Sequence, residues 1–138
     1  MEDNLGSATD ISTAFRTGRA ALSAHNTVDA LAQRDIIVAE VKQMQAGMAI
    51  HYLNDVKTKV ADGADQSAIN HSMSEALAFI FGIQFISETP DMSTADVMAL
   101  VSEIEPAVAD FTMNLTLIND AINQVAAATG LESVKDLL

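Results

Sequence analysis

The sequence predicts an all-α fold, a largely antiparallel helical bundle of five to six helices. Three observations carry that prediction. Hydrophobic residues make up 49% of the chain but aromatics only 4%, so Ala, Leu, Ile, Val and Met must fill the core, a mixture that favours helices. Apolar residues recur at spacings of three and four, and no alternating strand pattern survives a count. Prolines number two and glycines six, and Gly63 and Gly130 fall just where periodic segments end.

The elements follow in order. Thr9-Asp10 reads as the cap of a first helix from Ile11 to about Ala24, with Ile11, Ala14, Phe15, Gly18, Ala21 and Leu22 as its stripe. Asn26 or Thr27 caps a long second helix reaching about Ala61, roughly 50 Å at the helical rise. "ADGAD" is a loop, and a third helix runs from about Asp65 to Ile86. Being apolar nearly all round, this third helix is expected at the bundle centre. Ser93 and Asp96 have capping-box spacing and open a fourth helix that should end before Pro106. "AVADFTMN" reads as irregular. A fifth helix spans about Leu115 to Thr129, with Leu117, Ile118, Ala121, Ile122 and Val125 facing the core, and "LESVKDLL" adds a short last turn. The expected domain organisation is a single helical domain over residues 1–138.

Charge excludes whole classes of function. The net charge is −12, with only seven Lys and Arg, scattered singly. Phosphate backbones and anionic membrane surfaces both need a basic patch, so nucleic acid and membrane partners are not expected. There is no cysteine, which removes disulfides, thiolate zinc sites and Cys nucleophiles. "MEDNLGSATD" is polar and acidic, so this stretch does not read as a signal peptide, and the apolar run Ala76 to Ile83 is too short for a membrane span. No Gly-rich phosphate loop, G-x-S-x-G elbow or Ser–Lys pair stands out in the sequence.

One constellation remains. His51 and Asp55 are four residues apart near the end of the second helix, and His71 and Glu75 are four apart near the start of the third. That spacing puts each pair on one face. Across a short loop the helices pack antiparallel, and counting from the loop sets Asp55 level with His71 and His51 level with Glu75. Two imidazoles and two carboxylates suit a divalent metal, zinc, iron or manganese, held by His51, Asp55, His71 and Glu75. The same residues equally suit two His–carboxylate hydrogen-bonded pairs that fix helix register, or a polar ligand pocket. His25 reads as solvated, and Met44, Met48 and Met73 as core filler.

"AFRTGRAALSAHN", "MAIHYLNDVKTKV", "HSMSEALAFIFGIQF" and "INDAINQVAAATGL", in that order, resemble domain-of-unknown-function family 4856, a bacterial family related to imelysins. The resemblance covers roughly Ser12 to Leu131 and only the C-terminal part of the family domain. It implies an imelysin-like helical fold in an exported protein, periplasmic or at the cell surface. His51 matches its "H-Y-L-N" segment, and His71 and Glu75 its "H-x-x-S-E" segment. Imelysin relatives carry G-x-H-x-x-E, linked to metal binding or peptidase activity, and this chain lacks it. The expected function is therefore a non-enzymatic exported helical domain that binds a ligand or partner. The alternative is a metal-binding or metallopeptidase-related domain. If helices of the family domain are missing, exposed apolar surface follows, to be covered by a homo-oligomer or by the missing N-terminal half.

Overall fold

The computed structural model describes the backbone of residues 2–109 and 114–138, and the side chains of residues 4–105 and 114–138. Among the described residues six α-helices run in chain order: α1 Glu2–Leu5, α2 Ser7–Ser23, α3 Thr27–Ala61, α4 Gln66–Gly82, α5 Thr94–Ala109 and α6 Leu115–Thr129. Short 3₁₀ turns follow α4 at Ile83–Phe85 and close the chain at Lys135–Leu137. There is no strand among the described residues, so the all-α expectation holds.

Local chemistry sets most boundaries. The Asn26 side chain accepts from Asp29 N at 3.1 Å and starts α3. Gly63, with φ 67°, lets Ala64 N return to Lys59 O at 2.9 Å and ends it. Asp65 caps α4 through Ala68 N at 2.9 Å. The Ser93–Asp96 box forms as expected, with Asp96 N donating to Ser93 Oγ at 3.2 Å and Ser93 N to Asp96 Oδ2 at 3.3 Å. Gly130, at φ 74°, stops α6.

Three expectations are corrected. The first helix begins at Ser7, not Ile11, because Gly6 takes a left-handed conformation (φ 70°) that turns the chain into it. Helix α5 continues through Pro106 to Ala109. A proline costs one N–H donor and crowds the carbonyl four residues back, so α5 runs through Pro106 with that one hydrogen bond missing. Of the segment expected to be irregular, residues 110–113 lie outside the described residues. The third correction concerns the centre. The hub is α3, which packs against α2, α4, α6 and the last 3₁₀ turn, whereas α4 and the 3₁₀ turn after it leave Phe81 and Phe85 exposed.

The core belongs to the C-terminal half of α3. Its buried face runs Ala46, Ala49, Ile50, Leu53 and Val56, and meets Ile69, Met73, Ala76 and Ile80 of α4 and Ile118, Ala121, Ile122 and Val125 of α6. Helix α5 adds Val97, Leu100 and Ile104. Gly82 allows α4 to close on α3, since a Cβ there would strike the Gln45 amide that donates to Phe79 O at 2.8 Å. Asn54 Nδ2 ties down the chain end by donating to Lys135 O at 2.8 Å, and Asn4 Nδ2 does the same to Leu137 O at 2.7 Å.

The N-terminal half of α3 has no such surroundings. The loop after α4 reaches it at Lys42, whose ammonium donates to Thr89 O at 2.6 Å and pairs with Asp91 at 2.9 Å. Beyond that point α3 packs on α2, and none of the core cluster lies there. Residues 7–41 thus form a two-helix arm. Its tip turns at His25, whose φ of 57° lets Asn26 N reach back to Ala21 O at 2.9 Å. The solvated His25 of the sequence reading is thus also a backbone corner.

Candidate functional site

For Asp55 the helical register counted from the loop is correct to within one residue. Asp55 does reach across to α4, but its partner is Ser72 rather than His71. Ser72 Oγ donates to Asp55 Oδ2 at 2.6 Å and accepts from Lys59 Nζ at 2.6 Å. Lys59 Nζ also meets Asp55 Oδ2 at 2.8 Å, one turn along α3. The three groups form a closed ring of charge-assisted hydrogen bonds. One residue of offset matters because it is about 100° around a helix. It turns His71 outward, where it is exposed, and brings the small buried Ser72 inward.

The ring sets the electrostatics of Asp55. Hydrogen bonds from Lys59 and then Ser72 hold its carboxyl below the usual value of 3.8, against the opposing pull of desolvation. The positive charge beside Asp55 is Lys59, so a metal ion at this carboxylate would have to displace a resident ammonium. His51 is exposed, with its ring edge-on to Tyr52 at 5.4 Å, and Tyr52 stacks on Phe79 at 5.6 Å. Glu75 is half-buried. No hydrogen bond or ion pair joins His51 to Glu75 or Asp55 to His71 among the described residues. Nor does any group of three His, Asp or Glu side chains there come together as a potential metal site.

The structure thus assembles a Ser–Lys pair that sequence spacing did not reveal. Thirteen positions separate Lys59 from Ser72, and only the α3–α4 packing unites them. Catalysis does not follow from that proximity. Ser72 is 0% exposed and its single hydroxyl hydrogen is committed to Asp55. A substrate carbonyl has no path to Oγ, so the ring is a clamp between α3 and α4.

The second feature is a groove along the arm. It encloses about 400 Å³ between α2 and α3, with Ala14, Phe15, Gly18 and Leu22 on one side and Ala30, Ile37 and Val38 on the other. Phe15 and Leu22 are 61% and 63% exposed, an unusual state for large apolar side chains facing a common hollow. Arg19 and Arg34 stand at its edges, and no carboxylate lines it. The sequence reading had placed Phe15 and Leu22 on the core stripe of their helix. The stripe is real, but only Ala14 of it is fully covered.

By fold and site the chain is an all-helical domain with a polar clamp in its body and an open apolar groove on its arm. It belongs to the family described as Domain of unknown function (DUF4856), whose model matches residues 2–130. No curated protein and no solved structure gives a significant match. No helix among the described residues is long and apolar enough to cross a membrane.

Proposed function

We propose that this domain is a non-catalytic docking module whose working surface is the α2–α3 groove. One observation carries the reading: the groove is apolar, sized for side chains, open to solvent and remote from the core cluster. Two helices alone cannot bury both their stripes, and a third helix laid between them would complete the packing that α4 supplies lower down α3. Arg34 is already paired with Asp35 at 2.6 Å, and the Arg19 guanidinium favours an occupant with a carboxylate beside its apolar stripe. The opposite reading, chemistry at the polar cluster, has only a closed clamp to work with.

A designed helical peptide with a Leu stripe flanked by Glu tests the proposal. Titrated into ¹⁵N-labelled protein, it should perturb amides between Ala14 and Val38. The Phe15→Ser/Leu22→Ser variant should lose that response while keeping its helicity, because both side chains are already mostly in water. Perturbations absent altogether, or concentrated around His51 and Glu75, would refute the reading. The same proposal puts the module in the periplasm or on the cell surface, as the family resemblance implies, and fractionation of the source cells reads that directly.

A further inference from the structure

We propose that the occupant of the groove is the arm of a second copy of this chain, with the two arms antiparallel. The inference rests on the docking reading and names the partner. Its first support is the distribution of charge. The arm, residues 7–41, holds all three arginines, Arg16, Arg19 and Arg34, against Asp10, Asp29, Asp35 and Glu40, a net −1. Residues 42–138 hold 4 bases against 13 acids, a net −9. Two copies can therefore meet at their arms almost without charge, while any contact between bodies sets like charges together. An antiparallel arrangement about a twofold axis sends the bodies to opposite ends. A parallel one would place them side by side.

Area is the second support. Phe15, Leu22, Leu31, Val41 and Met44 of the arm and its base are each between 38% and 63% exposed. With the partly exposed Ile37 and Val38 they leave on the order of 400 Å² of apolar side chain open, taking side chains of this size at roughly 150 Å² or more each. A standard stable interface buries about 800 Å² per partner, of which about 500 Å² is apolar. The arm therefore presents close to what one dimer needs.

Analytical ultracentrifugation of the intact chain from about 1 to 200 µM spans the relevant affinities. The expected result is a concentration-dependent species of twice the 14.6 kDa chain mass. Phe15→Glu/Leu22→Glu should return it to monomer with its circular dichroism unchanged. A wild-type chain that is monomeric throughout overturns the proposal. So does a dimer that survives the double substitution with its helicity intact, since the contact would then lie elsewhere, for example on the exposed Phe81–Phe85 pair. Should that variant unfold, Arg19→Glu/Arg34→Glu reads the same interface from its rim. A dimer weakened about tenfold or more supports the proposal, and an unchanged one overturns it. A monomer that still takes the Glu-flanked peptide removes the second copy but keeps the docking reading. A monomer that ignores the peptide removes both.

Discussion

Replacing Ser72 by Ala removes one oxygen from the centre of the α3–α4 clamp and nothing else. Two hydrogen bonds to charged partners go with it, both at 2.6 Å. Buried, such bonds contribute about 1.5–3 kcal/mol each. Here the partners, Lys59 and Asp55, keep 28% and 32% of their side chains exposed and remain paired with each other at 2.8 Å. Water can replace much of what they lose, and Ala is slightly better than Ser in a helix. The net cost should therefore be about 1–2 kcal/mol, or a fall of roughly 3–7 °C in Tm for a chain of this size. A double-mutant cycle with Asp55→Ala should give a coupling of at least about 0.5 kcal/mol. The pH dependence has a definite sign. The folded Asp55 carboxyl lies below 3.8, so its contribution is fully present above that value and is lost as pH falls through the folded value. The gap between wild type and Ser72→Ala should thus narrow as urea midpoints are followed from about pH 5 to pH 2. A Tm change under about 1 °C, or a cycle that closes without coupling, would refute the clamp.

Other outcomes can be stated briefly. Gly130→Ala forces a side chain into the left-handed region that ends α6 (φ 74°) and should cost about 1–2 kcal/mol in chemical denaturation. Ser7→Ala should be neutral or mildly stabilising, because Ser7 Oγ is buried without a partner among the described residues; a loss above about 1 kcal/mol would reveal a bond to it. Zinc, manganese or iron(II) at a hundredfold excess over protein should move Tm by less than about 1 °C. A larger shift, abolished by Glu75→Ala with His71→Ala, would restore the metal reading of His51, Asp55, His71 and Glu75.

What was legible in the sequence was mostly local. Asn26, Asp65, Ser93 with Asp96, and Gly130 each act through a hydrogen bond or a backbone angle that their own side chain decides, and each stands where expected. Gly6 was missed because a glycine in a polar terminus carries no pattern around it. Pro106 misled because one missing hydrogen bond does not by itself end a helix, and α5 runs on to Ala109. Helix α4 misled differently. Apolar residues around its whole circumference say that it seeks cover on all sides, not that cover exists, and Phe81 and Phe85 remain outside, packed on each other at 5.4 Å. For the site, counting residues from the loop located the height of the α3–α4 contact. It could not tell His71 from Ser72, because adjacent residues share a height and differ in direction. The arm groove was invisible for a related reason: Phe15 and Leu22 follow the rule for a core stripe, and only the position of every other helix reveals that nothing reaches them.

Helix α3 is one unbroken run of 35 residues, yet its two halves live in different surroundings. Its amides between Ala46 and Val60 lie under α4, α6 and the last 3₁₀ turn. Those between Thr27 and Val41 are shielded by a single neighbour. Hydrogen exchange along this one rod should accordingly step from whole-molecule protection to partial protection, with the change near Lys42. A partner seated on the arm would erase the step. The helix would then act as a lever, carrying a contact made at its far end into the stability of the body that holds its root.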